Sequence, residues 1–129
     1  DTPDMAKLEA AHNHKLPVWI KGNVYFNGAK AYKNETCHRI DNEHTVTVDV
    51  DCSDGSPVLS TNLYDYLDDF SVGMVNSDIL GYAFEPEERF ENPDGTDIVF
   101  DRDYFGSHRG LTILPGPFAS KEDAGKKLF

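Results

Sequence analysis

The chain has 129 residues, of which 23 are acidic and 12 are basic, so its formal net charge is −11. A chain of this length can form one domain with its own core, and we predict a single domain over residues 1–129. The acidic excess opposes nonspecific binding to nucleic acid, which depends on clustered Lys and Arg. No apolar run is long enough to predict a membrane span. We therefore expect a monomer with neither a nucleic-acid nor a membrane partner.

Several features favour a secreted protein. The sequence begins at Asp1 without Met or an apolar segment, as a mature chain does after a signal peptide is removed. A disulfide between Cys37 and Cys52 would close a loop of about 15 residues and contribute roughly 3 kcal/mol. Asn34 begins a glycosylation sequon. We predict this disulfide and a glycosylation site at Asn34; the alternative is two free thiols in a cytosolic core.

The first third of the chain predicts a helix and then strands. Residues 1–16 are predicted to form a short, loosely attached helix, with Thr2 as its N-cap. Apolar runs at 18–20 and 24–26, followed by Asn27-Gly28, favour a β-hairpin with a type I′ turn that continues to residue 32. Trp19 and Tyr25 are expected in the core because of their size.

The strand predicted next covers residues 45–52. Val46, Val48 and Val50 alternate with polar residues, which indicates one buried and one wet face. Cys52 continues the apolar stripe. After it, Ser60 is a candidate cap for a short helix that carries apolar residues at helical spacing; an extended conformation is the alternative. The apolar residues of that helix would be Leu63, Leu67 and Phe70.

The second half of the chain predicts further strands. Residues 72–75 and 79–84 are apolar runs around an Asn-Ser-Asp turn, and residues 98–100 and 111–114 are apolar runs linked by a polar loop. Residues 118–129 predict either a short helix capped by Ser120 or a disordered tail. The expected fold class is α+β, with an antiparallel β-sheet of about five or six strands and one or two short helices.

Residues 71–116 carry motifs that resemble the small secreted guanyl-specific ribonucleases of fungi. Those proteins have a Glu just before an aromatic-Pro step, then a Gly-x-Asp-Arg-Val-Val-Phe strand, a polar loop and a Gly-x-x-Thr-His-x-Gly strand. The corresponding segments here are Tyr82-Ala83-Phe84-Glu85-Pro86, Gly95-Thr96-Asp97-Ile98-Val99-Phe100 and Gly110-Leu111-Thr112-Ile113-Leu114-Pro115-Gly116.

The resemblance implies a ribonuclease-like scaffold without ribonuclease chemistry. The family's Arg falls on Ile98, its second His falls at or near Leu114, and its general-base Glu falls near Ala83 or Phe84. Cleavage of a phosphodiester needs a base, an acid and a cation for the phosphorane charge. The pattern is similar to that of the ribonuclease-like secreted effectors of plant-pathogenic fungi, which bind host proteins and are recognised by plant immune receptors.

We therefore predict a non-catalytic effector or virulence protein that binds a host protein or an immune receptor. No catalytic residue, cofactor or metal ion is predicted. The charged loop between the last two strands is the candidate surface for partner binding. The candidate residues in this loop are Asp101, Arg102, Asp103, Tyr104, His108 and Arg109.

Three alternatives stay open. An active secreted hydrolase or ribonuclease would use His38, His44 or His108 as an acid or base, with Glu43 or Glu85 as its partner. An inhibitor module would dock its acidic face, residues 85–91, on a basic protein. A periplasmic metal-delivery module is the third, because residues 117–124 are similar to the end of the copper-delivery lipoproteins of nitrous-oxide reductase assembly.

Overall fold

The chain forms several short strands and a few short helices, in keeping with an α+β class. The structure is a computed structural model, and it describes residues 4–7, 19–83 and 86–129. The strands are β1 (Val24–Tyr25), β2 (Arg39–Ile40), β3 (Val48–Asp51), β4 (Val58–Thr61), β5 (Val72–Gly73) and β6 (Thr112–Ile113). The helical elements are α1 (Ser77–Leu80) and two 3-10 turns, η1 (Leu63–Tyr66) and η2 (Lys121–Asp123). Residues 5–7 are also helical, and the rest of the predicted N-terminal helix lies outside the described residues.

The strands form three separate two-stranded sheets instead of the single sheet of five or six strands that the sequence predicts. β1 pairs with β2 in parallel, whereas β3 with β4 and β5 with β6 are antiparallel pairs. Isolated bridges add to these pairs, for example between Asn76 and Val99. Four of the six strands are only two residues long, so each ladder is short.

The predicted turn at Asn27-Gly28 is present, but its hairpin is not. Both residues have positive φ, 55° and 81°, and the amide of Ala29 bonds to the carbonyl of Phe26 at 3.0 Å, as a type I′ turn requires. β1 then pairs with β2 and not with residues 29–32. The side chain of Asn27 bonds instead to both backbone groups of Val46, which leads the chain away from a hairpin.

The β3–β4 ribbon differs from the prediction of one buried face. Val48 and Val50 are exposed, since no further sheet or helix covers this side of the ribbon among the described residues, and Val46 alone of the predicted stripe is half-buried. Cys52 lies at the exposed end of β3, where the chain turns toward β4. The period-2 pattern therefore predicts the strand correctly but not which of its faces is buried.

In the middle of the chain, a residue predicted to cap a helix belongs to a strand, and residues predicted to form a turn and a strand form a helix. Ser60 belongs to strand β4, and the helix expected after it is reduced to η1. α1 occupies the position of the predicted turn and the start of the strand over 79–84, because the side chain of Asn76 caps it by accepting from the amide of Ile79 at 3.0 Å. Near the chain end, Ser120 caps η2 as predicted, accepting from the amide of Glu122.

The two strands predicted at 98–100 and 111–114 both run antiparallel to residues 72–77. Val72 pairs with Ile113 in the β5–β6 sheet, and the amide of Phe100 bonds to the carbonyl of Val75 at 2.9 Å. Residues 101–109 leave this strand as a tight protrusion, closed by a 2.7 Å bond from the amide of Arg109 to the carbonyl of Asp101. We call residues 101–109 the closed loop.

The core is a small cluster built around Phe26, Tyr64, Leu67 and Phe118. Leu67 is 0% exposed and Phe118 is 1% exposed, so both side chains are fully removed from water. Trp19, which the sequence placed in the core, is 46% exposed, and Tyr25 is half-buried. Since η1 supplies Tyr64 and the segment after η1 supplies Leu67, the core lies where β1, η1 and the C-terminal segment meet.

Candidate functional site

A cavity of about 380 Å³ lies beside the core, and we call it the central cavity. Its walls come from β1, η1, β5 and β6 and from the segments that flank them. The lining is mostly apolar and consists of Gly22, Asn23, Val24, Leu63, Leu67, Val72, Gly73, Val75, Phe100, Arg109, Ile113, Leu114, Pro115 and Gly116. Small-molecule sites are concave, largely apolar and about 300–1,000 Å³ in volume, so the central cavity has the size and character of such a site.

Phe100 and Arg109 are the most distinctive side chains of this lining. Phe100 is 58% exposed, and therefore offers a ring to whatever occupies the cavity. Arg109 is half-buried, and its Nη2 donates a 2.8 Å hydrogen bond to the carbonyl of Gly116. Of the described residues that line the cavity, Arg109 alone carries a charge.

Two buried polar atoms beside Gly116 have no hydrogen-bond partner among the described residues. They are the Nε of Arg109 and the phenolic oxygen of Tyr64. Tyr64 is 3% exposed, and a Cβ placed on Gly116 would lie 2.6 Å from its oxygen. The pKa of Tyr64 is raised, chiefly because the phenol is buried. The nearby amide of Phe118 and the charge of Arg109 act in the opposite direction but have a smaller effect. The phenol therefore keeps its proton at neutral pH.

A buried glutamate supports the β1 wall of the central cavity. The carboxylate of Glu35 accepts a 2.7 Å hydrogen bond from the side-chain amide of Asn23 and a 2.5 Å bond from the hydroxyl of Tyr25. Burial opposes the charge of Glu35, but these hydrogen bonds outweigh it and hold its pKa below the ordinary value. The bond to Glu35 in turn raises the pKa of Tyr25. Asn23 therefore has its amide committed to the wall and not to a ligand.

A second cavity of about 270 Å³ adjoins the first, and the two share Val72, Gly73 and Val75. Its lining also includes the half-exposed ring of Trp19 and the thiol-bearing residue Cys37. β5 therefore contributes to both cavities.

The residues predicted to bind a partner all lie in the closed loop, but they differ in their surroundings. Arg102 and Tyr104 are exposed. Asp103 is buried, and its carboxylate accepts from the amides of Ser107 at 2.8 Å and Ala119 at 2.9 Å. Burial alone would raise the pKa of Asp103, but these backbone bonds lower it below the ordinary value. Asp103 thus fastens the loop to the C-terminal segment, while Arg109 turns into the central cavity.

The structure places two histidines beside aspartates that the sequence analysis did not name as partners. His44 Nδ1 lies 2.9 Å from a carboxylate oxygen of Asp41, and its ring stacks on Tyr66 with centroids 4.2 Å apart. His108 Nδ1 lies 3.2 Å from a carboxylate oxygen of Asp101. The bonds from His44 are the largest cause that lowers the pKa of Asp41.

The other predicted acid–base residues are not drawn into these pairs. His38 is exposed and contacts the edge of the Tyr25 ring. The backbone of Glu43 bonds to Asp41, and Glu85 lies outside the described residues. The sequence missed both His–Asp pairs, although Asp41 and His44 are only three residues apart.

The predicted disulfide is not formed in the structure. Cys37 and Cys52 are free and exposed. They lie in different parts of the fold. Cys37 precedes β2 and lines the second cavity, whereas Cys52 follows β3. Asn34, the predicted glycosylation site, is exposed in a turn. Glycosylation at Asn34 stays a prediction.

Neither a metal-binding cluster nor a membrane-spanning helix is present among the described residues. Within residues 4–7, 19–83 and 86–129, no three His, Cys, Asp or Glu side chains gather closely enough to hold a metal ion. In the same ranges, every helix is too short or too polar to cross a membrane.

Comparisons with known proteins found one structural likeness. No family model matches the chain, and no curated protein matches it. A solved structure of XylC in complex with xylose is similar to the chain with a TM-score of 0.71 and 25% sequence identity. The match covers 80% of this chain and 16% of the XylC chain. The fold described above is therefore similar to one part of a much longer protein.

Proposed function

We propose that this chain is a sugar-binding unit whose ligand is a pyranose of the size of xylose, bound in the central cavity. The observation that carries the proposal is the structural likeness to XylC, whose solved structure contains xylose. The chain spans 16% of XylC, so the activity of the whole of XylC is not transferred to it. What is proposed is binding of the sugar alone.

The chemistry of the central cavity supports a sugar. A pyranose has an apolar face of C–H groups and a rim of hydroxyls, and it needs both an apolar surface and a few polar groups. Phe100 supplies a half-exposed ring on which the C–H face can pack. Leu114 and Val75 continue that apolar surface. Arg109 supplies hydrogen-bond donors for hydroxyl oxygens.

The expectation of a secreted, non-catalytic effector that binds a host protein stays a second proposal. It is supported by the sequence resemblance and by the exposed side chains of the closed loop, such as Arg102 and Tyr104. Binding of a protein by that loop and binding of a sugar in the central cavity use different surfaces. Neither proposal requires catalysis.

The test of sugar binding is isothermal titration of the 129-residue chain with xylose. Gly73 lines the cavity without a positive φ, and a Cβ there meets no atom within 4 Å, so Gly73→Val is compatible with strand β5 while it narrows the cavity. Gly110→Val is the matched control, because Gly110 is equally unobstructed and lies outside the lining.

We expect saturable binding of xylose by the unmodified chain and by Gly110→Val, and a loss of at least about tenfold in affinity for Gly73→Val. Absence of saturable binding by the unmodified chain would overturn the proposal. Equal weakening by both valine substitutions would also overturn it, because the effect would then not come from the central cavity.

A further inference from the structure

Arg109 differs from the other arginines of the chain in its electrostatic surroundings. Arg39 bonds to both carboxylate oxygens of Asp69 at 2.7 Å. Arg89 lies between Asp78 and Asp97 and bonds to both, and Arg102 lies 3.8 Å from Asp101. None of the described carboxylates lies within 4.0 Å of the Arg109 guanidinium.

This missing partner is unexpected in a chain with 23 acidic residues and a net charge of −11. A half-buried cation is costly unless an anion or several hydrogen bonds compensate for the lost water. The carbonyl of Gly116 satisfies Nη2 of Arg109, while Nε stays buried without a partner. The guanidinium has more donors than its bond to Gly116 uses, and Arg109 lines a cavity with no other charge among its described lining residues.

Tyr64 is not among the residues that line the cavity, and its phenolic oxygen is buried near Gly116. The guanidinium of Arg109 is therefore the charged group that a ligand in the cavity can contact. A planar group with two oxygens matches this arrangement best, because guanidinium and carboxylate pair through parallel hydrogen bonds.

We propose that the central cavity selects a sugar that carries a carboxylate, a hexuronate such as glucuronate, and that Arg109 binds the carboxylate. This inference rests on the proposed sugar-binding function and specifies its ligand. A carboxylate is favoured over a phosphate because a single cation lines the cavity, and the acidic chain repels a dianion more strongly than a monoanion.

The experiment compares matched sugars by isothermal titration of the 129-residue chain at low salt. Xylose lacks the sixth carbon, glucose has a hydroxymethyl group there, and glucuronate has the carboxylate. Glucose 6-phosphate tests the alternative anion. The proposal predicts that glucuronate binds about tenfold tighter than glucose, and tighter than glucose 6-phosphate.

Three substitutions at basic residues locate the effect. Arg109→Gln is expected to abolish the preference for glucuronate over glucose, and Arg109→Lys is expected to keep only part of it, because an ammonium cannot form the two parallel bonds. Lys33→Gln removes one positive charge from an exposed turn outside the cavity lining, and it should leave the preference intact. The circular dichroism of each variant should match that of the unmodified chain.

The possible outcomes separate this inference from the proposed function. Glucuronate bound no more tightly than glucose, or bound less tightly than glucose 6-phosphate, overturns the inference even if xylose binds. The same holds if Lys33→Gln reduces the preference as much as Arg109→Gln does. Binding of glucuronate without binding of xylose or glucose supports the charged site and rejects the neutral sugar. Binding of none of the four compounds rejects both.

Discussion

The hydroxyl of Tyr25 donates a 2.5 Å hydrogen bond to the buried carboxylate of Glu35 and links strand β1 to the segment before β2. The second carboxylate oxygen accepts from the backbone amide of Asn23 at 3.3 Å and from its side chain. Since β1 and β2 are only two residues long, this side-chain network has a large share in holding the parallel pair together.

The Glu35 network predicts a pH dependence of stability. The pKa of Glu35 is lower in the folded chain than its ordinary value of about 4.3, so Glu35 stabilises the fold above that pH and loses this contribution as the pH falls through the folded pKa. We expect Glu35→Gln to be less stable than the unmodified chain at neutral pH, and the difference to shrink below about pH 4. Urea denaturation at a series of pH values measures this, with exposed Glu88→Gln as the control. A difference that does not vary with pH would contradict the prediction.

Gly22 predicts a steric effect in the wall of the central cavity. Its φ is 76°, and a Cβ there would lie 2.6 Å from Cγ1 of Val72. Gly28 has a similar φ of 81° but no atom within 4 Å of a Cβ, so Gly28→Ala should cost only the backbone strain of about 1–2 kcal/mol. We expect Gly22→Ala to cost more than Gly28→Ala, and Val72→Ala to recover part of the difference in the double variant. Equal losses in free energy of unfolding for Gly22→Ala and Gly28→Ala would contradict this prediction, because Val72 would then accommodate the added Cβ without cost.

We predict that Asp103 stabilises the fold. Replacement of Asp103 by Asn keeps the shape but places an amide donor against one of the two backbone amides, at Ser107 or Ala119, that the carboxylate now satisfies. We expect a loss of about 1–3 kcal/mol in free energy of unfolding, measured by chemical denaturation. Asp65→Asn, at an exposed position of η1, is the control and should change little. Unchanged stability of Asp103→Asn would mean that Asp103 is free to bind a partner, as the sequence analysis expected.

We predict that removal of Phe118 lowers the free energy of unfolding more than removal of any other described aromatic residue. It is 1% exposed, it stacks on Phe105 with centroids 5.4 Å apart, and it packs against Tyr64. Phe118→Ala should reduce the free energy of unfolding by about 3–5 kcal/mol. Phe129→Ala removes the same ring from a side chain that is 83% exposed, and should change it by less than about 0.5 kcal/mol. Comparable losses in the two variants would exclude Phe118 from a central role in the core.

Sequence patterns predicted the local structures well where neighbouring residues determine them. Asn27-Gly28 forms the expected turn, because both residues tolerate positive φ, and Ser120 caps η2 because its hydroxyl reaches the amide of Glu122. Both features depend on atoms within three residues of each other. The two apolar runs at 98–100 and 111–114 were likewise found, although their shared neighbour at 72–77 was not predicted.

The pairing of strands and the candidate site could not be predicted in the same way. The parallel pairing of Val24 with Arg39 and the burial of Glu35 depend on segments that are far apart in the chain. The lining of the central cavity comes from six stretches of the chain, at 22–24, 63–67, 72–75, 100, 109 and 113–116. Arg109 was named as a candidate residue because of its charge, but its inward position depends on the carbonyl of Gly116.

The closed loop begins and ends at almost the same place. The backbone enters at Asp101 and leaves at Arg109, and these two positions are joined by a 2.7 Å hydrogen bond. Segments between such close ends can change in length at a small entropic cost, while the strands on either side keep their register. The loop can therefore change in length between related chains, provided that the bond of Ala119 to Asp103 and the stacking of Phe105 on Phe118 are kept or replaced.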